Sequence, residues 1–140
     1  MLLSEQARLL AEQLHANQLD KAGKPYIHHL SFVADLLNGQ ADEIIATAWL
    51  HDSVEDTSIS LCEIQTRFGK RIAEAVNAIT KRKNEPYDHY LSRVKANSIA
   101  RQVKLADLSH NMDLSRLAVV TRKDRERIVK YQKATQFLQT

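Results

Sequence analysis

The segment AWLHDSVEDT, from Ala48 to Thr57, places ionisable residues directly behind an apolar helical pattern. When residues 44–56 are plotted at about 100° per residue, one side of the helix is apolar, formed by Ile44, Ile45, Ala48 and Trp49. The same side continues with His51, Asp52, Glu55 and Asp56, while Ser53 and Val54 point away. Carboxylates near a helix C-terminus oppose its dipole, and a desolvated carboxylate is unfavourable unless it is paired or metal-bound. The segment therefore predicts a bound cation on the buried face of this helix.

Helical spacing of apolar residues extends along almost the whole chain, and alternation over the length of a strand is hard to find. Only 3 glycines and 2 prolines are available for strand turns. We therefore expect one all-α domain over residues 1–140, a bundle of about eight helices. The predicted helices are residues 4–16, 29–37, 42–53, 60–68, 70–80, 87–94, 98–114 and 122–138. Expected N-terminal caps are Ser4, Ser60 with Glu63, and Thr121 with Asp124.

Composition excludes several classes of protein. The net charge is +3 and aromatic residues make up 6% of the chain, whereas a nucleic-acid binder more often has concentrated basic residues interleaved with aromatic ones. The charges of TRKDRERIVK alternate in sign, which is typical of a solvated helix face. Glu5 and Arg8 interrupt the first apolar pattern, which excludes a signal peptide or a membrane span there. The single cysteine, Cys62, excludes an internal disulfide and is expected to be buried. We expect a cytoplasmic protein with no nucleic-acid or membrane partner.

Two further segments place ionisable residues on apolar helix faces. In NSIARQVKLADLSHNMDLSRL, the apolar side contains Ile99, Ala100, Val103, Leu114 and Leu117 but neither Leu105 nor Leu108. Asp107, His110 and Asn111 lie along that side. In PYIHHLSFVADLL, His28 or His29 begins a helix whose expected core residues are Phe32, Val33, Leu36 and Leu37. Imidazole and carboxylate ligands together favour manganese, iron, cobalt or zinc, whereas His15 and His89 are interpreted as ordinary core or surface residues.

Three segments in this order and spacing resemble the HD-domain metal phosphohydrolases, specifically the small, stand-alone form of the RelA/SpoT-type alarmone hydrolases. They are QLDKAGKPYIHHL, LHDSVEDT and KLADLSHN, and the resemblance covers nearly the whole chain. It implies a helical HD domain with a central metal site. It also implies hydrolysis that removes pyrophosphate from the 3′ position of guanosine tetra- or pentaphosphate.

The resemblance also implies roles for individual residues. The metal ligands would be His29, His51, Asp52 and Asp107, with Mn²⁺ the usual ion, and the variable position of the histidine pair is His28. Glu55 and Asp56 would position and deprotonate the attacking water. Asn111 would contact the nucleotide and Lys21 the substrate phosphates, with Lys24 or Arg93 as further candidates for the anionic oxygens.

Two positions depart from the family pattern. The proline that usually follows the ligand histidine is Leu30, which changes no ligand. Asp20 stands where many members have an arginine that stacks on guanine, and a carboxylate cannot stack as a cation. The adenosine analogue with the same 3′-pyrophosphate is therefore a second candidate substrate.

The complete ligand set and the Glu55–Asp56 pair favour an enzyme, a 3′-pyrophosphohydrolase acting on a small nucleotide. One alternative keeps the fold and the metal but releases orthophosphate from another nucleotide or from a dinucleotide cofactor. Another is an HD-type domain that senses a nucleotide without turning it over. Loss of a ligand or of the acidic pair would have favoured the sensing domain, and the sequence retains both.

Overall fold

The structure is a computed structural model that describes the backbone of residues 1–140 and every side chain except that of Arg116. The described residues form α-helices and one short 3-10 helix, with a single isolated β-bridge between Leu19 and Pro25. The helices are α1 (Leu3–Leu14), α2 (Ile27–Leu36), α3 (Asp42–Leu50), α4 (Ser53–Asp56), α5 (Leu61–Phe68), α6 (Lys70–Ile79), α7 (Tyr87–Ala96), α8 (Ser98–Asn111) and α9 (Arg122–Gln139), with the 3-10 helix at Leu114–Arg116. The all-α prediction is confirmed, and each of the predicted helices has a counterpart.

The central element of the bundle is α3, which packs against α1, α2, α6 and α8. Its buried residues occupy almost every side of the helix: Ile44, Ala46, Thr47, Ala48, Trp49 and Leu50. A helix that is apolar on all sides belongs in the interior of a domain. The residues that follow its C-terminal end, starting with His51, therefore begin inside the bundle.

The predicted helix over residues 42–53 is too long, and the projection of residues 44–56 as one continuous helix is wrong, because α3 ends at Leu50 and α4 begins at Ser53. The last carbonyl groups of a helix have no intrahelical hydrogen-bond partners, and here two side chains bond to them. His51 Nδ1 lies 2.6 Å from the carbonyl oxygen of Ala48, and the Ser53 hydroxyl donates to that of Leu50 at 2.7 Å. Ser53 is consequently buried, although the helical projection pointed it away from the core.

Helix caps decide where several elements begin. The predicted capping boxes at Ser60 with Glu63 and at Thr121 with Asp124 are both present. Ser4 is not a cap, because α1 already begins at Leu3. Its hydroxyl donates instead to Asp42 at the start of α3, which ties the first helix to the central one.

Some burial predictions were also wrong. Phe32 and Leu36 are 42% and 49% exposed, whereas Leu108 is fully buried because α8 is contacted by α2, α3, α6, α7 and α9. Cys62 is exposed, since α5 packs mainly on α6 and leaves its other face to solvent. None of the helices in the described structure has both the length and the hydropathy needed to cross a membrane.

Candidate metal centre and active site

Four side chains from three parts of the chain converge inside the bundle. One ligand atom from each lies within 4.8 Å of the others in the cluster of His29, His51, Asp52 and Asp107. His29 Nε2 is 2.8 Å from Asp107 Oδ1, and His51 Nε2 is 3.2 Å from Asp52 Oδ2 and 3.3 Å from Asp107 Oδ1. His28 is exposed, so His29 is the histidine of the pair that faces inward. The predicted ligand residues are thus brought together.

Contacts behind the two imidazoles orient them toward this cluster. His51 Nδ1 faces the Ala48 carbonyl oxygen, which leaves Nε2 directed at the two carboxylates. His29 Nδ1 lies 2.7 Å from Nδ1 of His110, and the ring of Phe32 stacks on His110 with centroids 4.1 Å apart. Such outer contacts fix the tautomer and ring orientation of metal-binding histidines. They explain why Phe32 remains partly exposed: it covers His110 instead of entering the core.

The two carboxylates also have partners that sequence reasoning missed. Asp107 Oδ2 accepts from Lys104 Nζ at 3.0 Å, and Asp107 Oδ1 accepts from Asn111 Nδ2 at 3.2 Å. The Tyr26 hydroxyl donates to Asp52 Oδ2. Lys104 precedes Asp107 by three residues on one helix, so helical spacing was a signal that could have identified it. Tyr26 and Asp52 are far apart in the sequence, and no local spacing connects them.

The chemistry of this cluster suits a divalent metal ion. Two imidazole nitrogens and two carboxylate oxygens are a donor set typical of zinc, iron and manganese sites. Burial alone would raise the pKa of Asp107, but Lys104 and the two histidines hold that pKa well below its usual range. Buried carboxylates therefore remain charged beside converging donor atoms, and His29, His51, Asp52 and Asp107 fit a cation.

Metal affinity is expected to rise with pH around neutrality. Burial opposes the charged form of His51, but the Asp52 and Asp107 carboxylates outweigh it and raise the pKa of His51 well above its ordinary value. His51 must lose its proton before Nε2 can bind a cation, so affinity should increase about tenfold per pH unit and level off above that pKa. Calorimetric titration with Mn²⁺ in buffers of different ionisation enthalpy measures the released proton. Metal binding without proton release at pH 7 would contradict this prediction.

Lys104→Met is expected to destabilise the metal-free protein by about 3–5 kcal/mol, because it leaves the buried Asp107 carboxylate without its ammonium partner. Added metal should reduce the difference from wild type, since a cation replaces the lost charge beside Asp107. Urea unfolding with and without Mn²⁺ measures both effects. Lys70→Met is the control, because the Lys70–Glu74 pair lies on the surface, where substitutions change stability by less than about 0.5 kcal/mol. Equal destabilisation with and without metal would argue against a cation at this cluster.

A pocket of about 410 Å³ opens beside the cluster. Its walls include His29, Asp52, Glu55, Asp56, Asn111 and Lys21, whereas His51 and Asp107 are not in its lining. The other predicted phosphate contacts, Lys24 and Arg93, are not in its lining. Arg93 instead pairs with Glu85 and donates to the carbonyl oxygen of Thr80 at 2.8 Å.

One wall of the pocket comes from α9, which sequence analysis interpreted only as a solvated helix. Asp124, Arg127, Ile128 and Tyr131 all line it, with Arg127 paired to Asp124. Burial and the nearby Arg127 guanidinium both lower the pKa of Lys21, although Asp124 opposes them. Arg127 is thus a cation of the pocket that the alternating charge pattern concealed, because only the tertiary structure shows which face of α9 points inward.

The acidic pair is held at the pocket wall by residues distant in sequence. Glu55 Oε1 accepts from the backbone N–H of Lys81 at 2.7 Å, and Asp56 Oδ2 accepts from Gln18 Nε2 at 3.1 Å. Burial raises the pKa of both carboxyl groups, and the charge of Asp52 raises both further. A carboxylate with a raised pKa is a better proton acceptor near neutral pH.

Asp20, which replaces the arginine of the family pattern, stabilises the loop that carries Lys21. Its Oδ1 accepts from the backbone N–H groups of Ala22 at 2.9 Å and Lys24 at 3.0 Å. Side-chain bonds of this kind stabilise tight turns. The carboxylate therefore shapes the loop that carries Lys21 while it lines the pocket.

Comparisons with known proteins identify the family of this chain. The sequence profile of the HD domain family matches residues 7–138. The chain is similar to a probable guanosine-3′,5′-bis(diphosphate) 3′-pyrophosphohydrolase of Synechocystis sp., with 38% identity over 115 residues, 73% of this chain and 15% of the relative. It is similar to a guanosine-3′,5′-bis(diphosphate) 3′-pyrophosphohydrolase of Aquifex aeolicus, with 35% identity over 134 residues, 90% of this chain and 19% of the relative. The chain thus spans less than a fifth of either relative.

A relative of comparable length comes from Danio rerio. This guanosine-3′,5′-bis(diphosphate) 3′-pyrophosphohydrolase is 35% identical over 127 residues, which cover 82% of this chain and 70% of the relative. A solved metazoan ortholog of SpoT, described as hydrolyzing ppGpp and playing a role in starvation responses, matches the fold with a TM-score of 0.81. That match covers 99% of this chain and 85% of the other at 23% sequence identity. The chain belongs to the HD domain family, among the relatives of the guanosine-3′,5′-bis(diphosphate) 3′-pyrophosphohydrolases.

Proposed function

We propose that this chain hydrolyses the 3′-pyrophosphate of an alarmone nucleotide, with Mn²⁺ as its metal. The observation that carries the proposal is the position of the acidic pair: Glu55 and Asp56 line the same pocket as the ligand residues His29 and Asp52. A metal ion that activates a water and a carboxylate that accepts its proton together favour hydrolysis of a phosphate ester. The relatives named for this activity support the choice of substrate.

The proposed reaction transfers the pyrophosphoryl group on the 3′ oxygen to water. The water oxygen forms a bond to the phosphorus attached to the 3′ oxygen, and the bond from that phosphorus to the 3′ oxygen breaks. The 3′ oxygen takes up a proton from solvent, so that pyrophosphate and a 3′-hydroxyl nucleotide result. His29, His51, Asp52 and Asp107 would hold a divalent ion, which would supply a lower pKa for a bound water and neutralise charge on the phosphate. Glu55 accepts the proton of the water, and Asp56 orients it. Lys21 and Arg127 hold the anionic oxygens, and Asn111 contacts the nucleotide.

The proposal extends to both purines. Asp20 provides a carboxylate where a stacking guanidinium would favour guanine, so we propose that the guanosine and adenosine alarmones are both substrates. Such a small nucleotide would be the partner of the pocket in the cytoplasm, with no nucleic acid or membrane involved. Residues 1–140 would act as one domain.

The test is a substrate panel with the metal varied. Purified protein is stripped of metal, reloaded with Mn²⁺, Mg²⁺, Zn²⁺, Co²⁺ or Fe²⁺, and incubated with the guanosine and adenosine 3′-pyrophosphates. Pyrophosphate release that is fastest with Mn²⁺ is the expected result. Release of orthophosphate would indicate a phosphatase of different specificity, and tight nucleotide binding without any product would indicate a sensing domain. Either outcome would refute the proposed reaction.

A further inference from the structure

The packing of His15 is not explained by the metal cluster or by the pocket beside it. This histidine follows α1, is 2% exposed, and has no hydrogen-bond partner for its Nε2 among the described atoms. An apolar residue would fill the same space without leaving a buried polar atom unpaired, which costs about 1–3 kcal/mol. The described hydrogen bond of the imidazole is made by its other nitrogen, Nδ1.

The other nitrogen begins a chain of hydrogen bonds that ends in the pocket. His15 Nδ1 lies 2.7 Å from Gln18 Oε1, and Gln18 Nε2 lies 3.1 Å from Asp56 Oδ2. Among the described side chains, Gln18 alone donates a hydrogen bond to the Asp56 carboxylate. Asp56 belongs to α4, a helix of only four residues. The hydrogen bond from Gln18, which follows α1 in the sequence, is therefore the main restraint on the Asp56 side chain.

The donors and acceptors in this chain can be assigned from their chemistry. An ionised carboxylate only accepts, so the Gln18 amide nitrogen must donate to Asp56, and the Gln18 oxygen must face His15. His15 Nδ1 consequently carries the hydrogen, and the buried Nε2 carries a lone pair instead of a hydrogen. The opposite tautomer would place an unpaired N–H in the interior and set two acceptors against each other, so only one arrangement satisfies the chain.

We propose that His15 is a positioning residue for Asp56 and acts through Gln18. The inference rests on the proposed function, in which Asp56 orients the attacking water. The Nδ1–H of His15 prevents the Gln18 amide from rotating, and the amide then holds Asp56 Oδ2 in one direction. Asp56 thereby keeps its other lone pairs toward the pocket.

The kinetic test uses two substitutions that remove the same ring. His15→Leu lacks a donor, whereas the side-chain amide of His15→Asn places an N–H close to the former Nδ1. We expect His15→Leu to lower kcat about tenfold with KM and metal affinity unchanged, and His15→Asn to restore most of the loss, as for other residues that orient a reacting group. His15→Asn as slow as His15→Leu would overturn the proposal, because then only ring packing matters.

A double-mutant cycle tests whether His15 acts through Gln18. With Gln18→Leu already present, His15→Leu should lower kcat no further, because the amide that it positions is gone. Losses that multiply would contradict the proposed chain. Thermal melting of each variant identifies any loss of folding, which should not follow the order of the kcat values.

A measurement on the wild-type protein separates this inference from the proposed function. Nitrogen-15 chemical shifts of the His15 ring distinguish the two tautomers, and we expect hydrogen on Nδ1. Hydrogen on Nε2 would overturn the inference whether or not the protein hydrolyses alarmones. If no alarmone is hydrolysed and Nδ1 carries the hydrogen, the proposed function fails while the His15–Gln18 bond stands.

Discussion

Asp52→Ala is expected to abolish metal binding and hydrolysis together. Asp52 Oδ2 is 3.2 Å from His51 Nε2 and belongs to the cluster whose ligand atoms lie within 4.8 Å of one another. Its loss removes one of two carboxylate charges facing the cation and the group that the Tyr26 hydroxyl contacts. Metal affinity should fall by more than about a hundredfold, the upper end of the loss seen when only an outer contact of a ligand is removed. Calorimetric titration with Mn²⁺ and pyrophosphate release measure the two effects.

The matched control for this variant is Asp35→Ala. Asp35 is an exposed aspartate on α2, so the same change of side chain there should leave metal affinity and turnover at wild-type values. Asp52→Asn adds a second comparison, because the amide keeps the shape of the side chain but loses its charge. Turnover that survives in Asp52→Ala would refute the assignment of the metal site. Metal binding that stays intact while turnover is lost would show that Asp52 is a catalytic group and not a metal ligand.

Helical periodicity was sufficient to predict the fold class and the inward direction of Asp107, whereas the choice of His29 over His28 came from the family resemblance. Asp107 lies on the same face of α8 as Val103 and Ala100, and all three are buried. Such a face depends on residues three and four apart, which belong to one element and are visible in the sequence. The same reasoning failed for Leu108, because α8 is surrounded by other helices and a single buried face does not describe it.

Features that depend on contacts between distant segments were not predictable in this way. The end of α3 at Leu50 is stabilised by the side chains of His51 and Ser53, which bond carbonyl groups that a continuous helix would have used. The pocket wall formed by Arg127 and Tyr131 depends on where α9 docks, and a polar helix shows little of its docking face in its hydropathy. The restraints on the acidic pair likewise come from residues remote in sequence.

Those restraints allow the role of Glu55 to be tested against a purely structural one. Glu55→Ala removes both the proton acceptor and the oxygen that accepts from the Lys81 N–H at 2.7 Å. Glu55→Gln keeps an oxygen for that N–H but cannot accept a proton at neutral pH. If Glu55 is the general base, both variants should lower kcat by about a hundredfold or more while metal affinity stays near the wild-type value.

The comparison between the two variants decides the assignment. Burial raises the pKa of Glu55, and the charge of Asp52 raises it further, which brings the carboxylate closer to the basicity that proton transfer at neutral pH favours. The amide of glutamine has no such basicity but leaves the loop after α6 anchored. Near-normal kcat in Glu55→Gln with slow turnover in Glu55→Ala would show that Glu55 only holds the Lys81 loop. Asp56→Asn, measured in parallel, would then show whether the other carboxylate accepts the proton, because its contact with Gln18 also survives the change to an amide oxygen.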